Sequence, residues 1–217
     1  MTSPRRGLLI TCEGPEGSGK TTLLAALAER LTALGRPPVM AREPGGTPVG
    51  ERIRDVLLDP GAAELCAETE LLLLEASRAQ LVRQVILPAL AAGRIVLCDR
   101  YADASLAYQA GGRGLPREAV ERLNAFAVDG AVPDLTLLLL LPPAEGLRRV
   151  ADRGRGSDRL ERERIAFHER VVRAYRELAE REPRRVRVLD ATRPPAAVFA
   201  EAVAALRDLE HELLAGL

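Results

Sequence analysis

Gly14-Pro15-Glu16-Gly17-Ser18-Gly19-Lys20-Thr21 satisfies the pattern G-x-x-x-x-G-K-[ST] at every fixed position, and Thr22 follows it. Glycines at this spacing let successive backbone N–H groups turn inward around phosphate oxygens, and a following helix adds its partial positive charge. Lys20 is then placed to reach β- and γ-phosphates, with the Thr21 hydroxyl on Mg²⁺. The choice of cation at position 20 supports this chemistry. The chain has 31 Lys plus Arg, and Lys20 is the only lysine among them. Where a generic positive charge is needed the sequence uses arginine. At position 20 it uses the compact ammonium, because a guanidinium fork is too wide for such a nest. The chain is read as binding a nucleoside triphosphate.

Three further groups carry potential chemistry. Asp99-Arg100-Tyr101 follows an apolar run. A carboxylate at a strand tip beside the loop can hold Mg²⁺ through water, and the adjacent arginine can grip a second anion; a plain strand-end salt bridge is the alternative. Only six aromatic residues occur in the chain, and two of them, Tyr101 and Tyr108, lie close together, consistent with a nucleobase or sugar pocket or with packing. The stretch 148–164 carries seven arginines among four acids, either a solvated helix pair or a mobile arginine-bearing lid. Arg153-Gly154-Arg155-Gly156-Ser157 favours the lid, because two glycines interrupt any helix there.

These groups need elements to position them. Leu8–Cys12 reads as a buried strand before the loop, and Leu23, Leu24, Leu27, Ala28 and Leu31 recur at helical spacing after it. Strands are predicted at 39–41, 94–98, 135–141 and 186–189. Helices are predicted at 49–58, at 64–92 with a bend at Pro88, from Pro143, up to about Arg181, and at 195–214. Short helices are expected on either side of the Gly111–Gly114 turn. Strands alternating with helices argue for a parallel sheet covered on both faces, with ligands beyond the carboxyl ends of the strands.

Composition narrows the classes. The 217 residues, 47% hydrophobic, suit one domain, 1–217. A formal net charge of zero points to neither nucleic acid nor an anionic membrane as partner. No apolar run approaches the roughly 18 residues of a membrane span, and no leader is visible, so a cytoplasmic location is expected. Cys12, Cys66 and Cys98 read as small buried hydrophobes, and His168 and His211 as solvated residues of charged helices.

The ordered set of motifs resembles the bacterial thymidylate kinases, enzymes that phosphorylate dTMP to dTDP. The resemblance rests on Glu13–Thr22, Arg42-Glu43-Pro44-Gly45-Gly46-Thr47, Asp99-Arg100-Tyr101 and Ser105-Leu106-Ala107-Tyr108-Gln109. It continues through Gly112-Arg113-Gly114, Pro133–Thr136, Asp158-Arg159-Leu160-Glu161 and Asp190-Ala191-Thr192. It implies a P-loop α/β/α sandwich with a central five-stranded parallel sheet and an arginine-rich lid at about 148–164. ATP with Mg²⁺ is the implied donor and dTMP the implied acceptor, with Gly14 to Thr22 and Arg149 on the ATP side and Thr21 and Asp99 at the metal.

By the same resemblance Arg100, Glu43, Pro44 and Arg54 surround the acceptor phosphate. Arg78, Ser105 and Gln109 contact thymine, and Tyr108 packs by the deoxyribose. Glu16 in the loop goes with a lid that supplies the catalytic arginine: Arg153 first, with Arg149 and Arg155 as alternatives. A homodimer built on the apolar helix around Leu71–Leu81 is also implied. Leu74 departs from the family, which usually places a phenylalanine there to stack on thymine, and Ala110 replaces a common glycine. The Leu74 departure keeps open a kinase for another pyrimidine monophosphate, such as dUMP or CMP. A nucleotide-dependent switch or partitioning ATPase is the rival from a different class. It fits poorly, because the guanine motif Asn-Lys-x-Asp, or an extra loop lysine, requires a second lysine.

Overall fold

A computed structural model of the chain describes residues 6–62, 64–152, 154 and 158–217. Five strands, β1 (Leu9–Glu13), β2 (Val39–Arg42), β3 (Val96–Asp99), β4 (Leu135–Leu140) and β5 (Val186–Asp190), form one wholly parallel sheet in the order β2-β3-β1-β4-β5. The helices are α1 (Lys20–Ala33), α2 (Pro48–Leu58), α3 (Ala67–Leu81), α4 (Leu87–Ala91), α5 (Ala102–Ser105), α6 (Arg117–Val128), α7 (Pro143–Ala151), α8 (Ile165–Arg181) and α9 (Pro195–Arg207). The expected five-stranded parallel α/β fold is borne out.

Strand β1 is central because its side chains alternate between two buried layers. Ile10 and Cys12 join Leu97, Leu137 and Leu139 under α1 and α9, where Leu24, Leu27, Leu31, Ala202 and Leu206 close the layer. Leu9 faces the other way, with Val96, Cys98, Leu81, Val82 and Ile86. Thr11 and Glu13 share that second face and are fully buried polar residues. Thr11 Oγ1 meets Thr136 Oγ1 at 2.8 Å, and Thr136 and Arg185 both donate to Asp103. From β1 the chain builds outward to β2 and β3 on one side and later to β4 and β5 on the other, so the loop after β1 sits where the connections diverge. That is the place where open parallel sheets bind ligands.

Several boundaries differ from the sequence reading. The rod predicted over 64–92 is α3 and α4 joined by a π-helical turn, Val82–Ile86, with Leu87 N–H bonded to Val82 O. Pro88 has no N–H for an ordinary helical bond, and the widened turn precedes it. Residues expected as separate short helices around Gly111–Gly114 instead run from α5 straight into a π-helix, Leu106–Gly112. Gly111 and Gly112 belong to that element because α8 crosses close by: a Cβ on Gly111 would lie 2.4 Å from Ala174 Cβ. The last helix ends at Arg207, and a separate 3₁₀ turn follows at Glu212–Leu214, Glu210 having left-handed backbone (φ 46°).

The cysteine and histidine expectations hold only in part. Cys12 and Cys98 are buried, but Cys66 is exposed at the start of α3. His168 is 1% exposed rather than solvated, because its face of α8 packs toward the Glu16 loop instead of toward water.

Candidate active site

The loop after β1 takes its shape from close approach. Gly14 (φ 139°) would carry a Cβ 2.2 Å from Leu139 O, and Gly17 (φ 72°) one 2.2 Å from Gly146 O, so both positions exclude side chains. Lys20, the first residue of α1, folds back and donates to Gly14 O (3.0 Å), Pro15 O (2.9 Å) and Ser18 Oγ (3.3 Å). Burial and the neighbouring Arg100 pull its ammonium down to about 8. Thr21 Oγ1, in the first turn of α1, donates to Asp99 Oδ2 at the end of β3 at 2.8 Å. A hydroxyl beside a carboxylate suits Mg²⁺, which uses one or two protein oxygens and completes its shell with water and phosphate.

Arg100 follows β3 with a left-handed backbone (φ 65°), a conformation uncommon outside glycine and concentrated at functional sites. That geometry turns its guanidinium toward the loop. One nitrogen donates to Gly14 O at 3.0 Å, the other to Glu16 Oε1 at 2.8 Å, and the group lies 4.9 Å from the Tyr108 ring centre. Tyr108 donates its hydroxyl to Glu16 Oε2 at 2.5 Å, and His168 Nδ1 lies 3.9 Å from the same oxygen. Burial pushes the Glu16 carboxyl up, but Arg100, Lys20 and the Tyr108 hydroxyl outweigh it and hold the group ionised. Glu16 thus fixes the direction of Arg100. Behind them Glu13 accepts from Tyr101 N–H and the Tyr175 hydroxyl, both at 2.7 Å, and burial with nearby Asp103 raises its carboxyl to about 8.

The far end of the site is built on α3 and the turn after β2. Glu43 precedes a cis bond to Pro44. Its carboxylate receives Arg78 Nε at 2.8 Å and lies 2.7 Å from an Arg78 terminal nitrogen. Arg78, 1% exposed, also donates to Glu75, Ser105, Asn124 and Tyr101 O, so its N–H groups all have protein acceptors. Arg54 donates to Pro44 O at 2.9 Å, and the Ser77 hydroxyl accepts from Gly45 N–H. A cavity of about 700 Å³ joins the two ends. Of the sequence-predicted residues, Glu16, Gly17, Ser18, Gly19, Lys20, Thr21 and Thr22 line it at the loop. Glu43, Pro44, Arg54, Leu74, Arg78, Asp99, Arg100, Ser105, Tyr108 and Gln109 line the remainder. Gly14 and Pro15 contribute carbonyls to Lys20 from behind. Arg149 does not line the cavity; it bonds Glu145 and the Ala191 carbonyl. Arg153, with Arg155, lies outside the described residues.

The loop at one end of the cavity has the form that cradles phosphate, and the other end is a mixed polar pocket beside Tyr108. A family model described as thymidylate kinase matches residues 12–202. The chain belongs to the thymidylate kinase family. It is 53% identical to a thymidylate kinase of Deinococcus radiodurans over 206 residues, covering 95% of this chain and 99% of that one. It is 48% identical to a thymidylate kinase of Pelotomaculum thermopropionicum over 211 residues, covering 97% and 98%. The crystal structure of a thymidylate kinase from Ehrlichia chaffeensis superposes with a TM-score of 0.75 at 31% identity, covering 93% of this chain and 99% of that one. The family resemblance read from the motifs is borne out.

In this member of the thymidylate kinase family the sequence reading missed Glu70, Glu75, Asn124 and His168, all buried and polar. Glu70 accepts from Gln109, Arg113 and Arg159. Burial raises its carboxyl, but the Arg113 and Gln109 hydrogen bonds prevail and hold it low. The one available signal was an acid amid a leucine run; its partners lie 39 to 89 residues away in sequence. Arg159 also donates to Leu57 O, tying part of the predicted lid stretch to the end of α2.

Proposed function

We propose that the chain transfers the γ-phosphoryl group of ATP to dTMP, giving ADP and dTDP, and works as one kinase unit with a lid at about 148–164. The observation that carries this is the continuity of the cavity. Lys20 and Thr21 stand at its donor end, Leu74, Ser105, Tyr108 and Gln109 at its acceptor end, and Arg100 touches both. The acceptor is a phosphate monoester already ionised at neutral pH, so no strong base is required. The task is to bring two anions into line and neutralise the charge that develops between them.

Lys20 and Arg100 supply positive charge from the chain, and Glu16 keeps Arg100 aimed. Thr21 and Asp99 would hold Mg²⁺, which would supply further neutralisation of phosphate charge. Arg54, fixed on the Pro44 carbonyl, stands beside the acceptor phosphate with Glu43. The lid contributes the catalytic arginine, Arg153 first and Arg149 or Arg155 otherwise, and closes the site to water. Leu74 covers the base where an aromatic ring is usual, and Tyr108 packs by the deoxyribose. Gln109 and Ser105 read the base edge. Arg78, which lines the cavity, contacts the base and also holds Glu43 and Ser105.

The enzyme is a cytoplasmic homodimer in this reading. Leu72 on α3 and Phe126 on α6, 56% and 77% exposed, lie on two helices that pack together, and a second copy would cover them. No described helix is long and apolar enough to cross a membrane.

The test is an ADP-release assay with Mg²⁺-ATP and dTMP, dUMP, UMP, CMP and dCMP. Preferred turnover of dTMP is expected. Comparable turnover of another monophosphate, the alternative that Leu74 keeps open, would overturn the substrate assignment while leaving the kinase chemistry in place.

A further inference from the structure

We infer that Glu13 is a positioning residue for Arg100: its side chain takes the backbone N–H that follows Arg100 and so holds the left-handed turn that aims the guanidinium at the loop. This rests on the role of Arg100 at the phosphates proposed above.

Three consecutive residues at the end of β1 each take one bond from the turn after β3. Arg100 N–H donates to Cys12 O at 3.0 Å, Tyr101 N–H to Glu13 Oε1 at 2.7 Å, and the Arg100 guanidinium to Gly14 O at 3.0 Å. Arg100 has φ 65°, and a left-handed arginine persists only where its surroundings fix the backbone on both sides. Cys12 O fixes the side before it. On the side after it, the Cys98 thiol donates to Arg100 O at 3.1 Å, but a thiol is a weak donor. Glu13 is the strong restraint there. Tyr101 is fully buried, so without Glu13 its N–H would lie unpaired, and turning that peptide toward another acceptor would swing Arg100 with it.

The residue type points the same way. Glu13 is fully buried and does not line the cavity, so any effect it has on turnover passes through its neighbours. An apolar side chain would fill that place in the core without the cost of desolvating a carboxyl. What it could not do is accept from Tyr101. The Tyr175 hydroxyl, on α8, donates to Glu13 Oε2 at 2.7 Å and keeps the carboxyl turned with Oε1 toward the Tyr101 N–H.

The experiment is a double-variant cycle on kcat for Mg²⁺-ATP and dTMP, counted per folded molecule of the full-length chain. Glu13→Met keeps the bulk and removes the acceptor; kcat is expected to fall by about tenfold to a hundredfold as Arg100 loses its aim. In the Arg100→Met background the same change should cost less than about twofold more, because there is no guanidinium left to misplace. A merely structural role would lower kcat by the same factor in both backgrounds, and that result would overturn the inference, as would an unchanged kcat in Glu13→Met. Glu13→Gln keeps an oxygen for the Tyr101 N–H and should retain kcat within about threefold of wild type; a fall as deep as that of Glu13→Met would also overturn it. Full kcat in Arg100→Met would instead overturn the role of Arg100 at the phosphates. Should Glu13→Met not fold, Glu13→Asp takes its place in the cycle. It keeps a carboxyl but draws it back by one methylene from the Tyr101 N–H, and the same two outcomes decide.

Discussion

Replacing Arg100 by methionine separates what its guanidinium does for the fold from what it does for the reaction. The side chain is 19% exposed and its partner Glu16 is 11% exposed, so the pair is largely but not wholly out of water. Removing one member of a fully buried pair costs about 3–5 kcal/mol, chiefly because the remaining charge is stranded. Here Glu16 keeps the Tyr108 hydroxyl and the field of Lys20, and some water reaches it. The expected loss is therefore about 2 kcal/mol of unfolding free energy, read from urea denaturation. Glu16→Gln removes the stranded charge, so the double variant should recover much of that loss, with a coupling of about 1–2 kcal/mol. Activity should behave differently. Without Arg100 a cation is missing from the developing charge, and kcat/KM should fall by about 10²–10³ in both the single and the double variant. Stability losses that simply add within about 0.5 kcal/mol would refute the pairing of Glu16 with Arg100. Activity recovered in the double variant would refute the role of Arg100 at the phosphates.

Three other outcomes follow from the geometry. Lys20→Arg should lose about 10²–10³ in turnover with the fold retained, because the wider guanidinium cannot occupy a nest bounded by Gly14 O, Pro15 O and Ser18 Oγ; near-normal ADP release would remove the size argument. Burial raises Glu13 from 4.5 to about 8, so between those values the folded chain keeps a proton that the unfolded chain has lost. This contribution is fully present below 4.5 and is lost as pH rises through 8, at up to about 1.4 kcal/mol per pH unit. Glu13→Gln should flatten that dependence in denaturation series at pH 5 to 8, and an unaltered slope would count against a raised Glu13. Leu74→Phe should tighten dTMP by about 0.5–1.5 kcal/mol through stacking, read by calorimetry; unchanged or weaker binding would mean that the pocket has closed around leucine.

Chemistry that depends on neighbours in the chain was legible without coordinates. The Gly14–Thr22 loop, Asp99-Arg100 at a strand tip and the alternation of strands with helices are local patterns. The backbone turn, the helix N-terminus and the side-chain period that produce them are set within a few residues. The single lysine marked the loop as a phosphate site on side-chain size alone. From these the five parallel strands and the place of the cleft follow, because right-handed parallel connections leave few alternatives.

What only the tertiary structure decided are the partners of buried charges and the details of helical turns. Glu70 lies in the sequence as one acid among leucines, yet it meets Gln109, Arg113 and Arg159 from three distant segments. Arg78 donates to Glu43, Glu75, Ser105, Asn124 and the Tyr101 carbonyl, acceptors gathered mostly from distant segments. His168 sits in a charged helix and is nevertheless enclosed, because α8 turns that face toward the loop and the π-helix. The cost of burying a charge is met by groups far off in sequence, and no local period records which ones arrive. The same holds for the π-helix that aims Tyr108 and Gln109: its widened turn goes with the packing of α8 on Gly111 and Gly112, a contact made only when the chain has folded.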